Sequence, residues 1–125
     1  MPLNFRLKSR WRNPPAPEGG TTDDCIWNRT WCGWDPDLSA EDIFEQNRGV
    51  WNLGSAAHEE RVATMSFDGA IQIVAAIDHI EDIEMKAGGY KQAVVGRVLG
   101  PGDPAYRRYF LKDFEAKGRN PVSYH

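Results

Sequence analysis

The chain begins with a strict alternation of side chains over residues 4–12. Because successive residues of a strand point to opposite faces, this pattern predicts a strand with one face for a core and one basic face. Phe5, Leu7, Ser9 and Trp11 form the first face, and Arg6, Lys8, Arg10 and Arg12 form the second. Two interpretations stay open at this point: an edge strand whose charges deter aggregation, or a row of phosphate contacts.

The clearest hairpin signal lies in the middle of the chain. Residues 61–67 and 70–77 flank Asp68-Gly69, a dipeptide typical of two-residue turns. The predicted pairing places Ala63, Met65 and Phe67 opposite Val74, Gln72 and Ala70. Since residues 71–77 are almost entirely apolar, the return strand is expected to be central and buried.

Further elements follow from caps and glycines. Ser39, with Asp42 three residues later, predicts a helix that presents Ile43 and Phe44 to the core. Asp103 followed by Pro104 predicts a second short helix. Residues 78–85 suggest a short helix or an irregular crossing, whereas residues 90–99 and 120–124 predict strands. Gly96 is expected to mark a bulge or a close approach within its strand.

Five or so strands and two or three short helices predict an α+β domain, a small, strongly bent, mixed or antiparallel sheet with helices at its openings. At 125 residues and 14.1 kDa the chain is expected to be a single domain, residues 1–125. Within it, residues 1–38 would supply the basic strand and a tryptophan-rich loop packed on it. Trp27, Trp31 and Trp34 in that loop either cap the core or line a pocket for a flat ligand.

Composition narrows the function classes. No apolar run approaches the length of a bilayer span, and no apolar segment follows the N-terminal basic residues, so we expect no membrane partner and a cytoplasmic protein. The net charge of −3 argues against a globally basic nucleic-acid binder, although the cations are concentrated near the N-terminus. Cys25 and Cys32 are close enough in sequence to close a small disulfide, whereas a reducing cytoplasm favours two free thiols.

Motifs of catalysis and metal binding are missing from the sequence. No nucleophile elbow, phosphate-binding loop or zinc-protease motif occurs. His58 beside Glu59 and Glu60 is the one acid–base candidate, and residues adjacent in sequence rarely share a face. The three histidines are scattered, so we expect no metal and no cofactor. The protein is therefore predicted not to be an enzyme.

What recurs instead is an arginine near an aromatic residue. Trp51 lies between Gly49 and Gly54, and Arg48 comes just before the first of these glycines. Arg107 and Arg108 lie between Tyr106 and Tyr109. Stacking rings and phosphate-pairing cations are the groups that hold a flipped or single-stranded base. The same groups also form ordinary core rims, where arginine stems cover aromatic edges.

A set of short motifs runs through the last three-fifths of the chain. The set comprises Arg48-Gly49-Val50-Trp51 with Leu53-Gly54, Glu60-Arg61, Gly69, Gly96-Arg97-Val98-Leu99, Pro101-Gly102 with Pro104 and Tyr106, and Arg119-Asn120-Pro121-Val122 with Tyr124. Over residues 48–124 the chain thereby resembles small bacterial domains of the PUA-like superfamily, which includes EVE, ASCH, YTH and SRA domains. The pattern has an aromatic residue after the central strand. In this chain the acidic segment 78–82 stands there instead.

The resemblance implies a bent β-barrel with a concave pocket for a modified or flipped base in DNA or RNA. Arg48, Trp51, Arg61 and Asn120 fall on the matching motifs and are the expected pocket residues. Phosphate contacts are expected from the basic strand and from Arg107 and Arg108, all on the same face as Trp51. The sequence thus predicts a non-catalytic nucleic-acid-binding module. The alternative is a small regulatory protein that binds a protein partner or a nucleotide-like ligand through its tryptophan-rich surface.

Overall fold

A computed structural model describes residues 2–8, 11–12, 31–84, 88–114 and 122–124 of the protein. Eight strands occur within these ranges: β1 (Leu3–Arg6), β2 (Trp11–Arg12), β3 (Trp31–Cys32), β4 (Gly49–Trp51), β5 (Val62–Phe67), β6 (Ala70–Glu84), β7 (Tyr90–Val98) and β8 (Val122–Tyr124). The helices are α1 (Ala40–Asn47), α2 (Pro104–Tyr109) and a 3₁₀ turn at Ser55–Glu59.

Six of these strands form one mixed sheet in the order β4-β7-β6-β5-β1-β8, and β2 pairs with β3 apart from it. The β1–β5 pair is parallel and the other pairs are antiparallel. The predicted α+β class with a small mixed sheet is therefore confirmed. Among the described strands the sheet is open, since β4 and β8 are its two edges. These strands do not close into the bent β-barrel that the resemblance implies.

The sheet is nevertheless strongly bent. Phe5 of β1 and Trp51 of β4 stack with their ring centroids 5.0 Å apart, although three strands lie between β1 and β4. Four interstrand steps in a flat sheet would separate these strands by about 19 Å. The bend therefore folds the sheet around one concave face, which we call the inner face.

The inner face carries the main core. Leu3 and Phe5 of β1 pack there with Met65, Ile73 and other buried residues. Helix α1 contributes Ile43 and Phe44 to the same cluster. As the sequence predicts, Ser39 caps this helix by accepting a hydrogen bond from the backbone N–H of Asp42 at 3.2 Å. The helix thereby closes over the concave side of the sheet.

The convex side of the sheet, the outer face, holds a smaller core under α2. Ile71, Val74 and Leu99 are buried there. Tyr106, Tyr109 and Phe110 of the α2 region pack against them, partly buried. Asp103 caps α2 by accepting from the Ala105 N–H at 2.9 Å, as predicted. The sheet thus lies between α1 on the inner face and α2 on the outer face.

Strand β1 departs from the predicted edge strand. It lies between β5 and β8, so the edge interpretation is wrong for Leu3–Arg6. Phe5 and Leu7 are buried as expected. The opposite side includes Asn4, which is fully buried, donates to Thr64 Oγ1 at 2.8 Å and accepts from Ser66 Oγ at 3.1 Å. Internal hydrogen bonds across a parallel pair, rather than charge alone, define this side of the strand.

The predicted hairpin is confirmed, with a different register. Asp68 and Gly69 have φ values of 53° and 82°, as a two-residue turn of this kind requires. Phe67 pairs with Ala70 as predicted. Met65 pairs with Ile73 instead of Gln72, because the register shifts between Met65 and Ser66. This irregularity displaces every later pair by one residue.

Residues 78–84 form the second half of β6 and not the predicted helix or irregular crossing. They pair with β7 from Glu84↔Tyr90 back to His79↔Val95, and the register shifts between Ile77 and His79. The sequence prediction fails here because an acidic stretch has weak strand propensity of its own. Pairing with a distant strand decides its conformation.

Candidate functional site

Arg48, the first of the predicted pocket residues, is a structural clamp. Its Nε contacts Glu45 Oε1 at 3.1 Å, and its Nη1 contacts Glu81 Oε1 at 3.2 Å and the carbonyl oxygen of Val94 at 3.2 Å. Its backbone carbonyl also accepts from the Val94 N–H at 2.8 Å. The Arg48 side chain is only 15% exposed, and its guanidinium joins the end of α1 to β6 and β7.

Trp51 is likewise committed inside the fold. Its indole N–H donates to the carbonyl oxygen of Asn47 at 2.8 Å, and its ring stacks on Phe5 on the inner face. The adjacent chain is held by Gln92, which accepts from the Leu53 N–H at 2.9 Å. The ring thus covers the core, and the donor that a base would need is already used.

An open groove lies on the outer face, where β6 and β7 pair irregularly. It encloses about 430 Å³ and is lined by Ala76, Ile77, Asp78, Val95, Gly96 and Arg97. Ala76 and Arg97 are direct partners, so their side chains share a face. Ala76 also packs against the cluster beneath α2, which identifies this face as the outer one. We call this cavity the Gly96 groove.

Glycine is required at position 96. A β-carbon built there would overlap the carbonyl oxygen of Ala76. The residue lies opposite Ile77, where the register of the pair shifts. A bulge and a missing side chain together bring the two backbones close at this point. The close approach expected from the sequence is confirmed, and it forms the floor of the groove.

A smaller cavity of about 260 Å³ adjoins the Gly96 groove, since both are lined by Val95 and Gly96. Its other lining residues are Glu45, Arg48 and Glu81, which form the ion pairs described above. Because it is lined by two carboxylates and one guanidinium, the smaller cavity is acidic. The Gly96 groove itself carries one charge of each sign, on Asp78 and Arg97, and both residues are exposed.

Helix α2 places cations on the same outer face. Arg107 and Arg108 are exposed, and the Arg108 guanidinium carbon lies 5.4 Å from the centroid of the Tyr109 ring. The tyrosine packs against the outer core, as does Tyr106, which stacks on Phe110 at 4.4 Å. The aromatic residues therefore anchor the helix, while the two arginines face solvent.

The predicted site residues are separated by the sheet. Trp51 belongs to the inner face, whereas α2 lies on the outer face, so the expectation that Arg107 and Arg108 share a face with Trp51 is wrong. Arg61 is exposed at the start of β5, and its carbonyl accepts from the N–H of Ile77, a groove residue, at 2.8 Å. Among the predicted site residues that the structure describes, Arg48 lines a cavity and Arg61 lies beside one.

The predicted basic strand is described only in part. Arg6 is half-buried at the end of β1, and Lys8 is exposed just beyond it. Arg12 lies in β2, outside the main sheet. Arg10 and Asn120 fall outside the described residues. The row of phosphate contacts therefore stays a prediction.

Two groove residues were missed as site candidates by reasoning from the sequence. Arg97 had appeared only as part of a resembling motif, and Asp78 only within the acidic stretch. The available signal was Gly96 itself, because a glycine within a strand often marks a place where a ligand or another backbone comes near.

The tryptophan-rich loop is described only at its end. Trp34 is half-buried, and its ring stacks on Phe67 with the ring centroids 5.9 Å apart. Its backbone N–H donates to the carbonyl oxygen of Lys8 at 2.7 Å. This residue thus packs on the core, one of the two outcomes expected. Trp27 and Cys25 lie outside the described residues.

No cluster of metal-ligating side chains occurs in the ranges that the structure describes. His58 is exposed on the 3₁₀ turn, next to exposed Glu59. The pKa of Tyr124 is raised, first by burial of its hydroxyl and then by the nearby carboxylate of Glu60. Within the described part of the chain, no helix is both long and apolar enough to cross a membrane.

Comparison with known proteins places the chain in no family: no protein-family model matches it, and neither a curated protein nor a solved structure matches it significantly.

Proposed function

We propose that the protein is a non-catalytic nucleic-acid-binding module that seats a single base in the Gly96 groove. The observation that carries this proposal is the groove itself, a cavity of about 430 Å³ on the face that also bears the exposed arginines of α2. Small-molecule sites have volumes of roughly 300–1,000 Å³, so a nucleobase fits this space.

The walls of the groove offer the chemistry that reads a base edge. Arg97 supplies donors in a fixed fork, and Asp78 supplies acceptors. Ala76 and Val95 give apolar surface for the face of a ring. A donor on β7 and an acceptor on β6 discriminate among bases, because a base with the wrong edge leaves one of them unpaired.

The charges favour a base here and phosphates elsewhere. Glu45 and Glu81 make the adjoining cavity acidic, so a phosphate there would be repelled. Arg107 and Arg108 are exposed on the same face, and neither forms an ion pair with an acid in the part of the chain that the structure describes. We assign the phosphate contacts to these two arginines.

The PUA-like resemblance stays part of this proposal. The strong bend of the sheet supports it, and the open edges at β4 and β8 depart from the barrel it implies. The base site differs as well. It is moved from Arg48 and Trp51, which are bonded within the fold, to the outer face beside Arg61.

The proposal is tested by titrating labelled single- and double-stranded oligonucleotides, plain and base-modified, at two salt concentrations, and following fluorescence anisotropy. We expect binding that weakens with salt. Replacing both Arg107 and Arg108 by glutamine should reduce the slope of log affinity against log salt by about 2.

The groove is tested separately with Arg97→Gln and Asp78→Asn. Each should change the preference among bases, by roughly tenfold for a lost charged hydrogen bond. Lys91→Gln is the matched control, since Lys91 is an exposed cation on the same strand outside the groove. Absence of binding to every oligonucleotide would refute the proposed function. Binding that is insensitive to both groove variants would refute the base site alone.

A further inference from the structure

Leu111 combines two unfavourable features at one position. Its side chain is 58% exposed, one of two large hydrophobic residues of the described chain that are exposed. Its φ is +60°, a left-handed conformation that is strained for a residue with a β-carbon. Glycine or asparagine would adopt this backbone at lower cost and without exposing apolar surface. The leucine is therefore poorly explained by stability.

Hydrogen bonds on both sides fix this conformation. The Leu111 N–H donates to the carbonyl of Ile71 at 2.8 Å, and the Ile71 N–H donates to the carbonyl of Lys112 at 2.9 Å. The Lys112 N–H in turn donates to the Tyr109 carbonyl at 3.1 Å. The segment after α2 is thus bound to the first residues of β6. The side chain of Leu111 is held out to solvent on a rigid support.

Cations surround this leucine in the sequence of the α2 region. Arg107, Arg108 and Lys112 are all exposed, and residues 104–114 contain a single acid, Asp113. An apolar side chain flanked by cations matches the wedges with which proteins enter stacked bases. There the apolar group separates two base pairs while the cations hold the phosphates on either side.

We infer that Leu111 is an apolar wedge that inserts between adjacent base pairs of a nucleic-acid duplex. The inference rests on the proposed nucleic-acid binding and extends it, because it identifies a second contact with a distinct role. The Leu111 backbone is hydrogen-bonded to Ile71, and the Gly96 groove begins five residues later along β6, at Ala76. At 3.3 Å per residue, roughly 17 Å separates them. Wedge and groove therefore act at different positions on the duplex.

The experiment uses short DNA and RNA duplexes that contain 2-aminopurine at several positions, so that the readout does not depend on where the protein binds. The fluorescence of this base rises when it loses its stacking neighbours. The wild-type protein should raise it on binding. Leu111→Gly should abolish the rise and weaken binding by roughly tenfold, the effect of losing one buried apolar side chain.

The same variant separates a binding role from a structural one. Because glycine relieves the strain of the left-handed backbone, Leu111→Gly should raise the melting temperature by about 3 °C. Stability and affinity then change in opposite directions. Leu111→Ala keeps the strain and should lose the fluorescence response without this gain. Tyr90→Ala is the matched control, since Tyr90 is the other exposed large hydrophobic residue, at 64%, and lies on the hairpin between β6 and β7.

The outcomes distinguish the two proposals. If the wild-type protein binds duplexes without a 2-aminopurine response, or if Leu111→Gly binds and responds like wild type, the wedge is refuted and nucleic-acid binding stands. If no nucleic acid binds, both proposals are overturned. Leu111-dependent binding to phosphatidylserine vesicles in the absence of a duplex response would assign the same residue to a membrane surface and overturn the wedge.

Discussion

Replacement of Arg48 by methionine decides between two roles for this residue, a wall of the base pocket or a clamp within the fold. Methionine keeps an unbranched apolar side chain but removes the charge and all the donors. Three contacts of the guanidinium are lost, to Glu45, Glu81 and the carbonyl of Val94. The clamp interpretation predicts a loss of stability and unchanged binding of oligonucleotides.

The size of the loss follows from exposure. Glu45 is 62% exposed and lies three residues away on the same helix, so this pair contributes about 0.3 kcal/mol. Glu81 is 43% exposed while Arg48 is only 15% exposed, and solvent screening limits this pair to about 0.5–1 kcal/mol. The bond to Val94 adds about 1–1.5 kcal/mol. The total is about 2–3 kcal/mol.

Urea unfolding of the wild-type protein, Arg48→Met, Glu81→Gln and the double variant measures both the total and the coupling. Glu81→Gln should cost less than 1 kcal/mol, and the two changes should not be additive. For Arg48→Met, the urea concentration at the unfolding midpoint should fall, and the dependence of the unfolding free energy on urea concentration should not change. An Arg48→Met protein that is as stable as wild type but fails to bind oligonucleotides would refute the clamp and restore the pocket role predicted from the sequence.

Two further predictions concern Gly96 and Tyr124. Gly96→Ala should destabilise the protein by about 3 kcal/mol or prevent folding, because its β-carbon meets the Ala76 carbonyl, whereas Gly102→Ala, with open space around it, should be nearly silent in thermal unfolding. Tyr124 has a raised pKa, so the folded state holds the proton that the unfolded state releases above pH 10.0. The contribution of Tyr124 to the free energy of unfolding is therefore complete below pH 10.0 and is lost as the pH rises toward the folded-state pKa. Tyr124→Phe should flatten this decline in the free energy of unfolding. An unchanged decline would contradict the assignment. Glu60→Gln should lower the tyrosine pKa measured by absorbance titration, since it removes the second cause of the shift.

Local signals in the sequence predicted several elements correctly. Ser39 and Asp103 cap helices where they were expected to, because a side-chain oxygen satisfies backbone donors within the same turn. The Asp68-Gly69 turn forms for a similarly local reason, since its backbone requires two residues that tolerate positive φ. Gly96 also behaves as its position in a strand indicated.

Non-local pairing decided what the sequence predicted wrongly. The parallel contact of β1 with β5 joins residues about 60 positions apart, so no local pattern shows that β1 is interior. The same holds for residues 78–84, which become strand only through β7. The hairpin register differs from the predicted one because a bulge inserts one residue.

The sequence by itself determined which residue types were available, namely arginines beside aromatic rings and a glycine within a strand. Only the tertiary structure decided which of them face solvent. The bend of the sheet brings Trp51 onto Phe5 and places it in the core, and it leaves Arg97, Arg107 and Arg108 on the convex side. The reason is geometric: which side of a sheet becomes concave depends on contacts between strands far apart in the chain, and a pattern of period two specifies two faces without saying which of them is covered.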